Sequence, residues 1–158
     1  MLGGRGRYDF GESVYGEIYV KDNEVETTLD VGSLTQVTIF TVNGEASKTT
    51  PDHTQDHIAI QRTGVYRVEF HVTVNNESAQ GHTLDISVFT NNGTVELLNC
   101  HAHRSLAGGS GDIGSVSGGG LVMLLAGETV ELWATTSGTS DNVTFEDVSL
   151  SVERKGPA

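Results

Sequence analysis

The sequence GVYRVEFHVTV at residues 64–74 is the clearest strand pattern in this chain. Apolar and polar side chains alternate along its whole length, so all the apolar ones fall on one face of an extended strand. The apolar positions are Tyr66, Val68, Phe70, Val72 and Val74. Aromatic and β-branched residues favour a pleated surface, and Thr63-Gly64 marks the start of the run. We therefore predict a central β-strand with one buried face.

Shorter strand patterns lie on both sides of this one. They occupy residues 17–20, 25–29, 36–42 and 57–61 before it, and residues 83–90, 95–103, 121–125, 129–135 and 143–154 after it. Asn43-Gly44 and Asn92-Gly93 between them are typical hairpin turns. No segment of ten or more residues has the 3.6-residue periodicity of a capped helix. The sequence therefore predicts an all-β fold, an antiparallel β-sandwich.

The last strand pattern changes phase in its middle. Val143 and Phe145 share one phase, whereas Val148, Leu150 and Val152 share the other. One extra residue between the two groups would turn both toward the core, so we predict a β-bulge at residues 146–147. The core predicted from the alternation of all the strands comprises Tyr66, Val68, Phe70, Leu84, Ile86, Val88, Leu132, Leu150 and Val152.

The first sixteen residues, MLGGRGRYDFGESVYG, differ in composition from the rest. Five of them are glycine, and too few are apolar for a core of their own. We predict that residues 1–16 form an N-terminal arm and that residues 17–158 form a single domain. The arm residues expected to bind a partner through aromatic contacts and charge are Arg5, Arg7, Tyr8, Phe10 and Tyr15.

The formal net charge is −12, and it is unevenly distributed. Four of the nine basic residues lie near the ends of the chain, which leaves five against 21 acidic residues in between. Such a field repels phosphate backbones, so we expect no binding of nucleic acid. The chain begins without the apolar run of a signal peptide and contains no stretch of membrane-spanning length, so we also expect a soluble, cytosolic protein without a membrane partner.

Cys100 is the single cysteine, which excludes an intrachain disulfide and favours a packing role.

Some of the strand patterns are apolar on both faces, among them residues 121–125, Val88 with Phe89, and Leu97 with Leu98. A sandwich strand needs only one apolar face, so a second must be covered. Another copy of the chain is the cover that we predict; the alternative is a long loop, such as the glycine-rich residues 106–120, folding over these faces.

Four segments together resemble a known family. They are GVYRVEF at 64–70, SVFTNNG at 87–93, LLAGETVELWA at 124–134 and VTFEDVSLSVER at 143–154. In this order they are similar to the C1q/tumour-necrosis-factor-like jelly rolls, over about residues 56–155. The resemblance implies that residues 17–158 are one jelly-roll domain, that it assembles as a homotrimer, and that one sheet faces the threefold axis.

No collagen-like stalk precedes the domain, and the chain looks like the small jelly rolls of bacteriophage virions. The resemblance then implies a non-enzymatic virion structural protein, located in the virion and assembled in the host cytoplasm. It would be a capsid decoration or cement protein, or a head-fibre knob, attached through its arm to the major capsid protein or another virion protein. The alternative is the receptor- or glycan-binding tip of a phage tail fibre, with Trp133 or the loops at 45–56 and 106–120 contacting a cell-surface glycan.

His101 and His103 would lie on one face of a strand, a spacing that can chelate a metal. Cupins, which are jelly-roll enzymes, use such a pair. They also require a glutamate shortly afterwards and a further histidine, and neither follows here. We therefore predict no enzyme activity, no cofactor and no metal site. One alternative stays open, in which a trimer gathers His71, His101 or His103 around its axis to hold an ion.

Overall fold

A computed structural model describes residues 12–109, 111–138 and 140–158. These residues form twelve strands and contain no helix, and hence none that could cross a membrane. The strands are β1 (Tyr15–Val20), β2 (Glu26–Leu29), β3 (Thr35–Gln36), β4 (Val42–Asn43), β5 (Thr49–Asp52), β6 (His57–Ile60), β7 (Gly64–Asn76), β8 (His82–Thr90), β9 (Val95–Leu106), β10 (Asp112–Leu124), β11 (Thr129–Ser137) and β12 (Asp141–Gly156).

The strands form two six-stranded sheets. One, which we call the β7 sheet, has the order β10-β7-β12-β1-β4, with β2 beside β12. The other, the β8 sheet, has the order β5-β6-β11-β8-β9, with β3 beside β11. Neighbouring strands in both sheets are antiparallel, and the inner faces of the sheets enclose one hydrophobic core. This confirms the predicted all-β sandwich.

The longest pairings involve β7, the strand at residues 64–76. It pairs with β10 along its whole length on one side and with β12 on the other. Its alternate side chains face the core, and every predicted core residue is at most 3% exposed. Tyr66 is buried together with its hydroxyl, which donates a hydrogen bond to the carbonyl oxygen of Arg62 at 2.6 Å. The alternation in the sequence thus identified the central strand correctly.

The predicted bulge in β12 is also confirmed. The pairing of β12 with β7 shifts between Phe145 and Asp147, which leaves Glu146 as the extra residue. As a result Phe145 and Val148 are both buried, although they lie in opposite phases of the sequence. Asn23 stabilises the bulge, because its backbone N–H donates to the Glu146 carbonyl oxygen and its side chain donates to that of Phe145, both at 2.9 Å.

The glycine-rich residues 106–120 are not the predicted loop, because β10 begins at Asp112 and continues through them. At Gly118 a Cβ atom would lie 2.8 Å from the ring of Phe70, and at Gly119 it would lie 2.9 Å from the side chain of Glu69. Glycine is therefore what allows β10 to pair closely with β7 here. The alternative in which this passage folds over an apolar face is wrong for the strand residues.

The sandwich also begins earlier than the predicted boundary at residue 16. Val14 is 2% exposed and belongs to the core, and Tyr15 begins β1. The Val14 carbonyl oxygen accepts a hydrogen bond from the N–H of Arg154 at 2.8 Å. The last residues of the predicted arm are thus part of the sheet, whereas residues 1–11 lie outside the described residues.

Cys100 is buried in the core, in the packing role predicted for it. Burial disfavours the charged thiolate and raises the pKa of this thiol to about 11. The thiolate is the nucleophilic form of cysteine, so Cys100 is chemically inert in the folded protein near neutral pH.

Replacement of Phe70 by alanine should lower the free energy of unfolding by about 3–5 kcal/mol, because it leaves a cavity between β7 and β10. Val25→Ala, at a position that is 65% exposed, is the matched control and should change stability by less than about 0.5 kcal/mol. Denaturant unfolding followed by circular dichroism measures both. Equal stability of the two variants would contradict the assignment of Phe70 to the core.

Candidate interface and binding surfaces

The outer face of the β7 sheet carries large apolar side chains. The strand register places Leu121, Arg67, Glu153 and Tyr15 in one row across β10, β7, β12 and β1. Leu121 is 54% exposed and Tyr15 is 38% exposed, one at each end of this row. Tyr19 lies on the same face, four residues along β1 from Tyr15. The face is therefore apolar toward both edges and charged in the middle.

The middle of this face carries small side chains, and its charges are partly paired. A second row consists of Gly119, Glu69, Ser151 and Glu17, in which two of the four side chains are small or absent. The guanidinium of Arg67 lies 3.2 Å from the carboxylate of Glu69. Small side chains allow another protein to approach closely, and paired charges cost less to remove from water than single ones.

The open edge of the sandwich, where β9 and β10 lie side by side, is also apolar. Leu98 on β9 is 82% exposed, and Val95 and Ile113 are about half exposed. The side-chain amide of Asn99 donates to the carbonyl oxygen of Leu121 at 2.9 Å and so ties the two edge strands together. The prediction that some strands are apolar on both faces is thus confirmed at Leu98 and Leu121. The same holds for Val88 with Phe89, because Val88 is buried in the core and Phe89 is partly exposed on the outer face of the β8 sheet.

The outer face of the β8 sheet contains a depression with an aromatic wall. Trp133 is partly buried there and lies against Phe89, with ring centroids 6.0 Å apart. Gly93 packs on the same indole, and a Cβ atom at that position would lie 2.7 Å from the ring. Ser87 and Glu96 line the depression and are joined by a hydrogen bond from the serine hydroxyl at 2.9 Å.

Glu131 fixes the hairpin that packs on Trp133. Its side chain is fully buried, and one carboxylate oxygen accepts hydrogen bonds from the backbone N–H groups of Asn92 (3.1 Å) and Gly93 (3.4 Å). Asn92 and Gly93 both have positive φ, as the predicted hairpin turn requires. The buried carboxylate therefore holds the turn, and with it one wall of the depression, in a defined place.

A buried trio of polar residues joins three strands at one end of the sandwich. His82 Nδ1 lies 2.7 Å from the Thr136 hydroxyl, and His82 Nε2 lies 3.3 Å from a carboxylate oxygen of Asp141. Hydroxyl, imidazole and carboxylate are also the groups of a hydrolase triad. Thr136 is only 4% exposed, however, so its hydroxyl is shielded from a substrate, and the trio links β8, β11 and β12.

Of the residues predicted to bind a partner or an ion, the structure describes Tyr15 and the three histidines. Arg5, Arg7, Tyr8 and Phe10 lie outside the described residues, whereas Tyr15 lies in β1 on the outer face of the β7 sheet. His71 is on that same face, paired with Ser117 and Ser149. His101 and His103 lie on the outer face of the β8 sheet. The alternative in which a trimer gathers copies of His71, His101 or His103 around its axis involves neighbouring chains, so it stays a prediction.

The strand order and the two sheets define a jelly-roll sandwich of the C1q/TNF-like type. No family model and no curated protein matches the sequence. Solved structures do match: the TNF protein Eiger of S. frugiperda has a TM-score of 0.64 at 12% identity over 94% of this chain and 96% of its own. The globular domain of zebrafish complement 1qA has a TM-score of 0.57 at 14% identity (93% and 100%), and murine APRIL has 0.58 at 11% (91% and 100%).

These similarities confirm the jelly-roll fold that the sequence resemblance implied. At 11–14% identity they concern the fold alone. Function therefore has to be inferred from the surfaces of this chain, of which the outer face of the β7 sheet carries the partly exposed side chains of Tyr15, Tyr19, Leu121 and Met123.

Proposed function

We propose that this protein is a non-enzymatic structural component of a bacteriophage particle, a homotrimeric capsid decoration protein or head-fibre knob that is attached through its N-terminal arm. The observation that carries the proposal is the apolar outer face of the β7 sheet. Exposed apolar side chains on one face of a small acidic domain indicate that a protein partner covers this face. Proteins with the C1q/TNF-like fold typically form trimers, so a second and a third copy of the chain are the partners proposed for it.

The residues on this face suit a threefold interface. Tyr15, Tyr19, Leu121 and Met123 are about one third to one half exposed and would be covered by neighbouring copies. Complete burial of a large apolar side chain contributes about 1.5–3 kcal/mol, and a half-buried one gains part of that. Three copies repeat the gain at each interface, so a modest contribution per side chain supports a stable trimer.

The arm supplies the proposed attachment. The described chain begins at Glu12, whose carboxylate lies 3.3 Å from the ammonium of Lys48 and 3.8 Å from the guanidinium of Arg62. Glu12 therefore lies beside the start of β7. In a symmetric trimer three arms leave at the same end, and three linked weak contacts bind far more strongly than one. The arginines and aromatic residues of the arm would contact the major capsid protein or another virion protein.

A second candidate function is glycan binding by a tail-fibre tip. It is favoured by the depression beside Trp133, where an aromatic side chain lies next to the polar groups of Ser87, Glu96 and Thr135. Sugars stack their apolar faces on aromatic rings and hydrogen-bond through their hydroxyl groups, so this combination suits a cell-surface glycan. The two functions use different surfaces and can be tested separately.

Aspartate in place of Tyr19 or Leu121 should dissociate the trimer, because it would bury a charge in the interface. Sedimentation velocity at micromolar concentration should show a trimer for the unchanged protein and monomers for Tyr19→Asp and Leu121→Asp. Val31→Asp, at an exposed apolar position in the segment between β2 and β3, is the control and should remain trimeric. A monomeric unchanged protein would refute the proposed assembly.

Removal of residues 1–11 should leave a folded trimer that no longer binds its particle. The deletion stops before Val14 because that residue belongs to the core. Co-sedimentation with particles lacking this protein measures the binding, and the pair Arg5→Ala and Arg7→Ala should weaken it in the full chain. Undiminished binding of the truncated trimer would place the attachment on the globular domain instead.

Glycan binding should change the fluorescence of Trp133, which is the single tryptophan of the chain. Oligosaccharides from the host cell surface, titrated into the protein, are expected to shift its emission if the second function is correct. Glu96→Gln should weaken that response, and Glu69→Gln on the opposite sheet should not. An emission spectrum that no host oligosaccharide alters would eliminate this candidate.

A further inference from the structure

Three metal-ligating side chains meet on the outer face of the β8 sheet. Asp85 on β8 lies directly opposite His103 on β9, and His101 lies two residues along β9 on the same face. One ligand atom from each of these three side chains lies within 4.8 Å of the others. The cluster is separate from the proposed trimer interface, which lies on the outer face of the β7 sheet.

The spacing of these atoms is close to what one ion needs. Zinc–nitrogen and zinc–oxygen bonds measure about 2.0–2.2 Å, so two ligands of the same ion are at most about 4.4 Å apart. The cluster reaches this range by small side-chain rotations, while its backbone positions are fixed by the pairing of β8 with β9. His101 Nε2 already lies 3.2 Å from a carboxylate oxygen of Asp85.

The surroundings favour a cation. The side chains of Asp85 and His101 are more than one third exposed, so an ion keeps water on its remaining coordination positions. Glu96 lines the neighbouring depression together with Asp85 and His101 and adds a second negative charge. Arg104, the basic residue nearest to this cluster along β9, does not compete, because its guanidinium donates to the carbonyl oxygen of Ser115 on β10 at 3.4 Å.

We propose that Asp85, His101 and His103 form a binding site for a divalent transition-metal ion such as Zn²⁺. Two imidazoles favour Zn²⁺, Ni²⁺ or Cu²⁺ over the hard cations Ca²⁺ and Mg²⁺, which prefer oxygen ligands. Such an ion joins β9, the edge strand of the sheet, to β8. This site goes beyond the proposed virion function and does not depend on it.

The cupin pattern considered in the sequence does not predict this site, because it places the remaining ligands after His103. The third ligand instead precedes the histidines, on the strand with which β9 forms a hairpin. Only the register of that hairpin brings Asp85 beside them, so the earlier prediction of no metal ligands is replaced by this proposal.

The test uses the full-length protein, freed of metal by a chelator and titrated with Zn²⁺ in a calorimeter. We expect one ion per chain and a rise in the unfolding temperature on addition of Zn²⁺, because an ion that binds the folded state stabilises it. Asp85→Asn, His101→Ala and His103→Ala should each weaken binding at least about tenfold, as loss of even an indirect supporting group does. The matched control is His71→Ala, an exposed histidine on the other sheet, and it should bind Zn²⁺ normally.

Trp133 provides an independent readout, since it lines the same depression as His101. Cu²⁺, a paramagnetic ion, should quench its fluorescence in the unchanged protein and in His71→Ala, but not in His103→Ala. Circular dichroism checks that every variant is folded; the side chains concerned are exposed, so we expect no loss of structure. The proposal is overturned if none of the ions binds at micromolar concentration. It is equally overturned if the three cluster variants bind as the unchanged protein does, or if His71→Ala alone abolishes binding.

Discussion

The simultaneous pairing of β7 with β10 and β12 is the constraint on which the rest of the structure depends. A thirteen-residue strand paired on both sides has no free hydrogen-bonding edge, and its alternating side chains fix which face of the whole sheet is buried. Two local features make this double pairing possible. The bulge at Glu146 brings both halves of β12 into phase, and the glycines at 118 and 119 remove side chains that would collide with Phe70 and Glu69.

The parts of the fold that follow from local alternation could be predicted from the sequence. The central strand, the core residues and the bulge all depend on which neighbouring side chains are apolar, and that pattern is visible in the chain itself. Residues 112–120, the glycine-rich first part of β10, could not be recognised as a strand, because glycine is ordinarily a turn signal and the glycines here matter through their contacts with β7. The start of the sandwich at Val14 was missed for a similar reason, since the burial of that residue depends on contacts with the rest of the sandwich and not on a local sequence pattern.

The candidate surfaces also include features that could be predicted from the sequence and features that could not. Exposed apolar residues such as Leu98 and Leu121 were predictable, because a strand that is apolar in both phases must expose one of them. The cluster of Asp85 with His101 and His103, and the buried link from His82 to Asp141, were not. Asp85 lies on a different strand from His101 and His103, and His82 is 59 residues from Asp141 in the chain. These residues meet only through the strand order of the folded sandwich. The prediction of a site whose residues lie on different strands therefore requires the strand register as well as the residue types.

The two outer faces of the sandwich differ in a way that makes the proposed functions compatible. The face of the β7 sheet carries exposed apolar side chains toward its edges, so it is the one that gains from contact with other copies. The face of the β8 sheet carries histidine, carboxylate and a partly exposed tryptophan, groups that gain little from dry burial and bind ions or polar ligands well. A trimer built on the first face turns the second outward on all three subunits. Each particle-bound trimer would then present three metal sites and three aromatic depressions to the solvent, with the attachment arms at one end.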